Sequence, residues 1–164
     1  MQRLIKNGAI VEDDWQLLAK DVDSINELPS GNVIVPLELW LQNRSELQQR
    51  DAAIGVWLDS DQPPRLLEGD IEALDLIAIN FPLFSDGRGY TYARELREHY
   101  NYKGEIRAIG DVLRDQLFYL DRCGFDAFLL RSDKDAALAV ASFGDFSESY
   151  QADVNQPLPL FQRR

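Results

Sequence analysis

Five short apolar runs, separated by helical patterns, divide the middle of the chain. They begin near residues 33, 53, 76, 105 and 125, which places them 20 to 29 residues apart. This spacing is typical of a strand and a helix joined by a right-handed crossover. The pattern predicts an α/β fold with about five parallel strands in βα units. A sheet that curls like part of a barrel and an open, doubly wound sheet both use this unit, and we favour the barrel-like arc.

A hairpin is predicted at the start of the chain. Asn7 and Gly8 lie between two short apolar runs, and Asn-Gly is a strong hairpin signal because glycine accepts the left-handed turn position. We therefore expect one α/β domain over residues 1–164. Its parts would be the hairpin and a connection at 1–32, the βα body at 33–146 and a tail at 151–164.

Turn glycines and charges are densest at residues 81–116. Gly87 and Gly89 follow Asp86 in a turn, where we expect the glycines to adopt positive φ and Asp86 to bond its own backbone. A helix is predicted from about Thr91.

The next strand is predicted at residues 105–110. Asp111 is placed to cap a further helix, and three leucines would share one face of it: Leu113, Leu117 and Leu120. A later helix is predicted at 134–143.

The tail carries one apolar cluster, formed by Leu158, Leu160 and Phe161. Burying Phe161 alone would contribute roughly 1.5–3 kcal/mol. We predict that the tail docks, either on its own domain or on a second subunit. The alternative is a disordered end.

Composition narrows the class of protein. The chain has 164 residues, an apolar fraction of 45% and a net charge of −11, which suits one folded domain and disfavours nucleic-acid or anionic-membrane partners. The apolar runs are shorter than a membrane-spanning helix requires, and no signal-peptide core follows Met1. These features predict a cytoplasmic protein. The single cysteine allows no internal disulfide. We expect Cys123 in the core and His99 on the surface.

Charged residues follow the predicted strands, at the edge of a parallel sheet where α/β proteins bind ligands. They are Asp59, Asp61, Asp86, Arg88, Asp111, Arg114 and Arg131.

One interpretation of this edge is an anion site. Gly87, Arg88 and Gly89 precede a predicted helix, and Arg88 could add a forked contact to an oxyanion, with Arg114 and Arg131 as further candidates. The alternative is a tight turn in which Arg88 pairs with Asp86.

Asp86 and Asp111 are the candidates for acid or base catalysis. Together with Asp59 and Asp61 they could form a site for a hard cation, but solvated turn and cap residues are the preferred interpretation, so we expect no metal. The Gly-x-Gly-x-x-Gly pattern of dinucleotide sites is absent, because Tyr92 stands where the third glycine would be. No cofactor is evident.

Three segments carry a family resemblance: FPLFSDGRGYTYARELR, GEIRAIGDVLRDQ and RCGFDAFLL. With these motifs the chain resembles a bacterial family of unknown function whose members are described as oxidoreductases of sulfite reduction. The resemblance implies an accessory protein of assimilatory sulfate or sulfite reduction, encoded beside the sirohaem sulfite reductase.

The resemblance also implies the partners, sulfite reductase or its electron donor. It supplies no catalytic residues. A second hypothesis comes from a different class, a small enzyme that acts on an anionic metabolite at the loop edge of the sheet. Both hypotheses leave a homo-oligomer open.

Overall fold

A computed structural model describes residues 3–22, 24–83, 86–112 and 116–129. These residues form one mixed sheet of eight strands with four α-helices. The strands are β1 (Arg3–Lys6), β2 (Ala9–Glu12), β3 (Gln16–Leu17), β4 (Val33–Pro36), β5 (Ile54–Leu58), β6 (Leu76–Phe81), β7 (Glu105–Gly110) and β8 (Ala127–Phe128). The helices are α1 (Leu37–Gln42), α2 (Arg44–Gln48), α3 (Arg88–Arg94) and α4 (Leu117–Cys123).

Shorter helical turns complete the connections. Three 3₁₀ turns lie at Ile25–Glu27, Pro64–Leu67 and Ile71–Ala73, and a π-helical turn at Glu95–His99 continues α3. None of the helices in the described part of the chain is long and apolar enough to cross a membrane.

The sheet has the strand order β2-β1-β8-β7-β6-β5-β4-β3. From β3 to β8 neighbouring strands are parallel, whereas β1 pairs antiparallel with both β8 and β2. The α/β class is confirmed. The five predicted strands are found as β4 to β8 and are parallel to their neighbours. The predicted number of strands and the regular βα units are wrong, because the sheet has eight strands of mixed direction and only 3₁₀ turns lie between β5 and β6.

The N-terminal hairpin is confirmed. Asn7 and Gly8 have φ values of 53° and 82°, and Lys6 lies opposite Ala9. Two consecutive positive φ values are those of a type I′ turn, whose twist matches that of the flanking strands.

The connection from β2 to β3 shows that the sheet is strongly curled. These strands occupy opposite edges, which in a flat eight-stranded sheet would lie about 34 Å apart. The chain has only the four residue steps from Glu12 to Gln16 to cross between them, and four extended steps reach about 14 Å. The edges therefore approach each other. The barrel-like arc is the form adopted, and because the strand order from β3 to β8 never reverses, the doubly wound alternative is wrong.

Residues 13–15, which we call the strap, cross the inner face of this curled sheet. On the outer face, the helices pack on a large apolar cluster that includes Val35, Ile79 and Leu96. The inner face carries a smaller cluster: Ile34, Trp57, Leu76, Ala78 and Ile109, with Trp15 of the strap packed against it. Strand residues alternate between the two clusters, as the period of two requires.

The glycines of the Asp86 turn were assigned the wrong role. Gly87 has φ of −86°, and Gly89 lies inside α3, which begins at Arg88 rather than Thr91. A Cβ on Gly89 would lie 2.6 Å from the Phe81 ring, so close packing of the helix on β6 requires this glycine. The Asp86 carboxylate accepts the backbone N–H of Arg88 at 3.1 Å, as predicted.

Strand β7 has the predicted bounds and β6 has the predicted start, but the cap assigned to Asp111 is not at the start of α4. That helix begins at Leu117, with Gln116 before it. The backbone N–H of Asp111 instead donates to the carbonyl of Phe81 at 2.7 Å, which extends the contact between β6 and β7.

Several predictions lie outside the described residues. They concern the 134–143 helix, the apolar cluster of the tail and three further positions, Leu113, Arg114 and Arg131.

Candidate functional site

The carboxyl ends of β5 and β6 bring Asp59 and Asn80 together. The Asn80 amide Nδ2 donates to Asp59 Oδ1 at 3.0 Å. The loop after β5 fixes the same carboxylate, because the backbone N–H of Ser60 donates to Asp59 Oδ1 at 2.9 Å. The backbone N–H of Asp59 in turn donates to Gln62 Oε1 at 2.8 Å. Asp59 is therefore held in one orientation at the edge of the sheet.

Lys20 reaches the same carboxylate from the chain that follows β3. Its Nζ lies 3.0 Å from Asp59 Oδ2. Burial acts to raise the pKa of Asp59, but hydrogen bonds from Asn80, Lys20 and Ser60 outweigh it, so the pKa of Asp59 is lowered. The hydrogen bond to Asp59 raises the pKa of Lys20. Both groups stay charged at neutral pH.

Arg88, at the first position of α3, is bound by two acceptors. Its Nε and Nη2 donate to the two carboxylate oxygens of Asp86 at 3.2 and 2.9 Å, and Nη2 also donates to Ser60 Oγ at 3.0 Å. Hydrogen bonds from Arg88 lower the pKa of Asp86 to about 2. The tight turn in which Arg88 pairs with Asp86, which was the alternative to an anion site, is thus present.

Tyr92 joins α3 to the loop after β5, because its hydroxyl donates to the carbonyl of Ser60 at 2.6 Å. A continuous row of polar groups results, which we call the β5–β6 edge: Lys20, Asp59, Ser60, Asp86 and Arg88. Gly87 and Gly89 flank Arg88 in this row.

The other candidates are placed differently. Asp111 follows β7, the neighbour of β6, and is half-buried. Arg114 and Arg131 lie outside the described residues, so their role as further anion-binding candidates stays a prediction.

A cleft of about 400 Å³ opens on the inner face beside the β5–β6 edge. Its lining residues are Leu17, Leu18, Ala19, Lys20, Trp57, Asn80 and Ile109. The Trp57 indole is fixed, because Nε1 donates to the carbonyl of Leu18 at 2.9 Å. This cleft was missed from the sequence, since β3 has only two residues. The sequence feature that could have indicated the cleft is Asn80, a polar residue inside an apolar run.

The sequence profile of a bacterial protein family of unknown function, DUF934, matches residues 55–161. The chain belongs to the DUF934 family. The matched region contains most of the β5–β6 edge, whereas Lys20 and the strap precede it. No curated protein matches this DUF934 chain.

At the opposite end of the strands, the DUF934 protein carries a buried ion cluster. Arg107 of β7 lies between Glu105, at 2.8 Å, and Asp13 of the strap, at 3.0 Å. Lys6 of the hairpin completes the cluster at 2.7 Å from Glu105. The side chain of Arg107 is only 2% exposed, so these charges fasten the strap to the sheet.

A cavity of about 710 Å³ lies near this same end. Its arginine, Arg97, donates to the backbone carbonyls of Tyr102, Gly104 and Gly124 at 2.8–3.0 Å. Burial lowers the pKa of Arg97. These contacts with the two backbone segments that precede β7 and β8 give Arg97 a structural role.

The remaining candidates for chemistry have ordinary surroundings. Cys123 is buried, and burial raises the pKa of its thiol, which makes it a poor nucleophile. His99 is exposed, with its ring edge-on to Tyr100. Within residues 3–22, 24–83, 86–112 and 116–129, no group of three or more His, Cys, Asp or Glu side chains could hold a metal ion.

Proposed function

We propose that this DUF934 protein is an accessory protein of assimilatory sulfate and sulfite reduction, acting with sulfite reductase or its electron donor. We further propose that it binds a small sulfur oxyanion at the β5–β6 edge. The support for the pathway is the resemblance carried by residues 81–97, 104–116 and 122–130. The support for the oxyanion is the geometry of Arg88.

The single observation behind oxyanion binding is that Arg88 is both fixed and accessible. Asp86 and Ser60 bind its Nε and Nη2, while its Nη1 makes no hydrogen bond within the described part of the chain. The side chain is 56% exposed. A guanidinium group held in this way presents the two N–H donors of Nη1 to an oxyanion at little conformational cost.

Charge balance sets the expected affinity. Arg88 and Lys20 are each paired with a carboxylate, Asp86 and Asp59, so the edge carries no net positive charge from these four groups. An oxyanion would gain hydrogen bonds but little long-range attraction. We expect a dissociation constant on the order of millimolar, or about −4 kcal/mol.

Titration calorimetry with sulfite, sulfate and phosphate tests this site. Binding should be lost in Arg88→Ala and retained in Arg94→Ala. Arg94 is the matched control, because it lies on the same helix and forms an exposed ion pair with Glu98 at 3.3 Å. Equal binding by wild type and Arg88→Ala would remove Arg88 from the site.

The cellular role is tested separately with a deletion strain on sulfate as the sole sulfur source. We expect poor growth and reduced sulfite reductase activity in extracts, with restoration by the wild-type gene. Normal growth together with wild-type reductase activity would overturn the accessory role.

The alternative is a small enzyme that acts on an anionic metabolite. Asp86 is a weak base in this alternative, because its pKa of about 2 lies far below neutral pH and general bases work best near the operating pH. Asp86 would then orient Arg88, and Asp111 remains the acid or base candidate. Turnover of an anionic metabolite that is lost in Asp111→Asn would favour this enzyme over the accessory protein.

A further inference from the structure

The inner-face cleft has two kinds of wall. Trp57 of β5, Ile109 of β7 and Leu17 of β3 supply apolar surface, and Lys20 and Asn80 supply nitrogen donors. Leu17 is 44% exposed, so its side chain is accessible to a ligand in the cleft. A volume of about 400 Å³ lies within the range of about 300–1,000 Å³ that is typical of small-molecule sites.

Asp59 fixes both donors from outside the cleft. Its carboxylate accepts from Lys20 Nζ and from Asn80 Nδ2, each at 3.0 Å, yet Asp59 is not among the residues that line the cleft. An ammonium group has three N–H donors and an amide nitrogen has two. Each side chain therefore keeps donors beyond the one that Asp59 accepts, and the lining contains no carboxylate.

The position of the cleft also favours a ligand. It lies at the carboxyl ends of parallel strands β5, β6 and β7, where α/β proteins bind their ligands. The indole of Trp57 is fixed by its bond to Leu18, so an aromatic wall is already in place before a ligand arrives. Preorganised walls of this kind lower the entropic cost of binding.

We propose that this cleft binds a small organic anion: a planar or branched apolar body that carries one carboxylate or sulfonate group. The apolar body contacts Trp57, Leu17 and Ile109, and the anionic group accepts from Lys20 and Asn80. This site is separate from the inorganic oxyanion at Arg88 and does not depend on it.

The test uses the full chain and four probes in titration calorimetry. Indole-3-acetate and naphthalene-1-sulfonate carry the two anionic groups, indole-3-acetamide is the neutral match, and tryptamine is the cationic match. We expect saturable binding of one or both anions, with at least tenfold weaker binding of the amide and the amine, because charge-assisted hydrogen bonds are lost. Saturation by either anion supports the cleft.

Variants locate the site. Lys20→Met should weaken anion binding about tenfold or more, Lys20→Arg should largely retain it, and Leu17→Ser should weaken all aromatic probes. Lys103→Met is the matched control, because Lys103 is exposed and lines the cavity at the other end of the strands. Circular dichroism checks that each variant is folded, and Leu17 is exposed enough to be replaced without loss of the core.

The outcomes separate this proposal from the one at Arg88. Organic-anion binding that survives Arg88→Ala and falls in Lys20→Met supports the cleft. Absence of saturable binding, or equal binding by wild type and Lys20→Met, overturns it, even if sulfate still binds in an Arg88-dependent way. Binding that falls in Arg88→Ala but not in Lys20→Met also overturns it and assigns the organic anion to Arg88.

Discussion

The two ends of the parallel strands carry the same kind of interaction in opposite surroundings. At the amino end, Arg107 is 2% exposed and bridges Glu105 and Asp13. At the carboxyl end, Arg88 is 56% exposed and pairs with Asp86. Both pairs have nitrogen–oxygen distances of 2.8–3.0 Å. Geometry alone therefore does not tell them apart, and burial decides what each pair does.

Burial changes the energetic role of an ion pair. Water screens an exposed pair, which then contributes little to folding. A buried pair has lost its hydration, so removal of one partner leaves an uncompensated charge. The amino end of the sheet is thus committed to structure, while the exposed arginine at the carboxyl end can contact a ligand in addition to Asp86.

The largest expected effect is that of Arg107→Met. It leaves the Asp13 carboxylate buried without its cation and should lower the free energy of unfolding by about 3–5 kcal/mol. Urea denaturation measures this loss. In the Arg107→Met background, Asp13→Asn should recover part of it, because the unpaired charge is removed.

Arg88→Met, at the carboxyl end, is the matched control for Arg107→Met at the amino end. It should leave the free energy of unfolding nearly unchanged. Similar losses in Arg107→Met and Arg88→Met would show that burial does not separate the two pairs.

A smaller effect is expected from the glycines beside Arg88. Gly89→Ala places a Cβ 2.6 Å from the Phe81 ring and should cost about 1–3 kcal/mol through overpacking. At Gly87 a Cβ would meet nothing within 4 Å, and its φ of −86° suits any residue. Gly87→Ala should therefore be neutral or slightly stabilising in the same denaturation experiment. A larger loss in Gly87→Ala than in Gly89→Ala would contradict the packing of α3 on β6.

The smallest effect on stability concerns the titration of Asp86. Its pKa is about 2 in the folded protein, below the ordinary value of about 3.9. Because the folded value is lower, the ionised carboxylate stabilises the fold at pH above about 4, and this contribution is lost as the pH falls toward about 2. Exposure keeps it small.

Carbon-detected NMR titration of the side-chain carboxyl groups reads this pKa directly. In Arg88→Ala the midpoint of Asp86 should rise toward about 3.9. A midpoint that stays near 2 would mean that Arg88 is not the cause of the shift.

Local patterns predicted the local elements well. Strands β6 and β7 and the Asn7-Gly8 turn were recognised because β-branched runs and turn residues act within a few positions. The edge strand β3 was missed, since two residues carry no measurable period. The role of Gly89 was missed because its neighbour, Phe81, comes from another element.

The candidate site was predictable only where its partners are close in sequence. Asp86 and Arg88 are two residues apart and were found as a pair. Lys20 and Asp59 are separated by 39 residues, and no pattern in a single sequence connects them. The same is true of Arg107 and Asp13, which are 94 residues apart.

The strap has a consequence for the order of folding. The hairpin pairs with β8, where Ile5 lies opposite Phe128. Asp13 of the strap forms its ion pair with Arg107 of β7. Residues near the start of the sequence therefore contact residues near the end of the described part. Closing loops of this length is entropically costly and slow. During synthesis the hairpin and the strap emerge before β8, yet the hairpin cannot pair with β8 until that strand has left the ribosome. We therefore expect the hairpin and the strap to be placed after β4 to β7, although they are made before them.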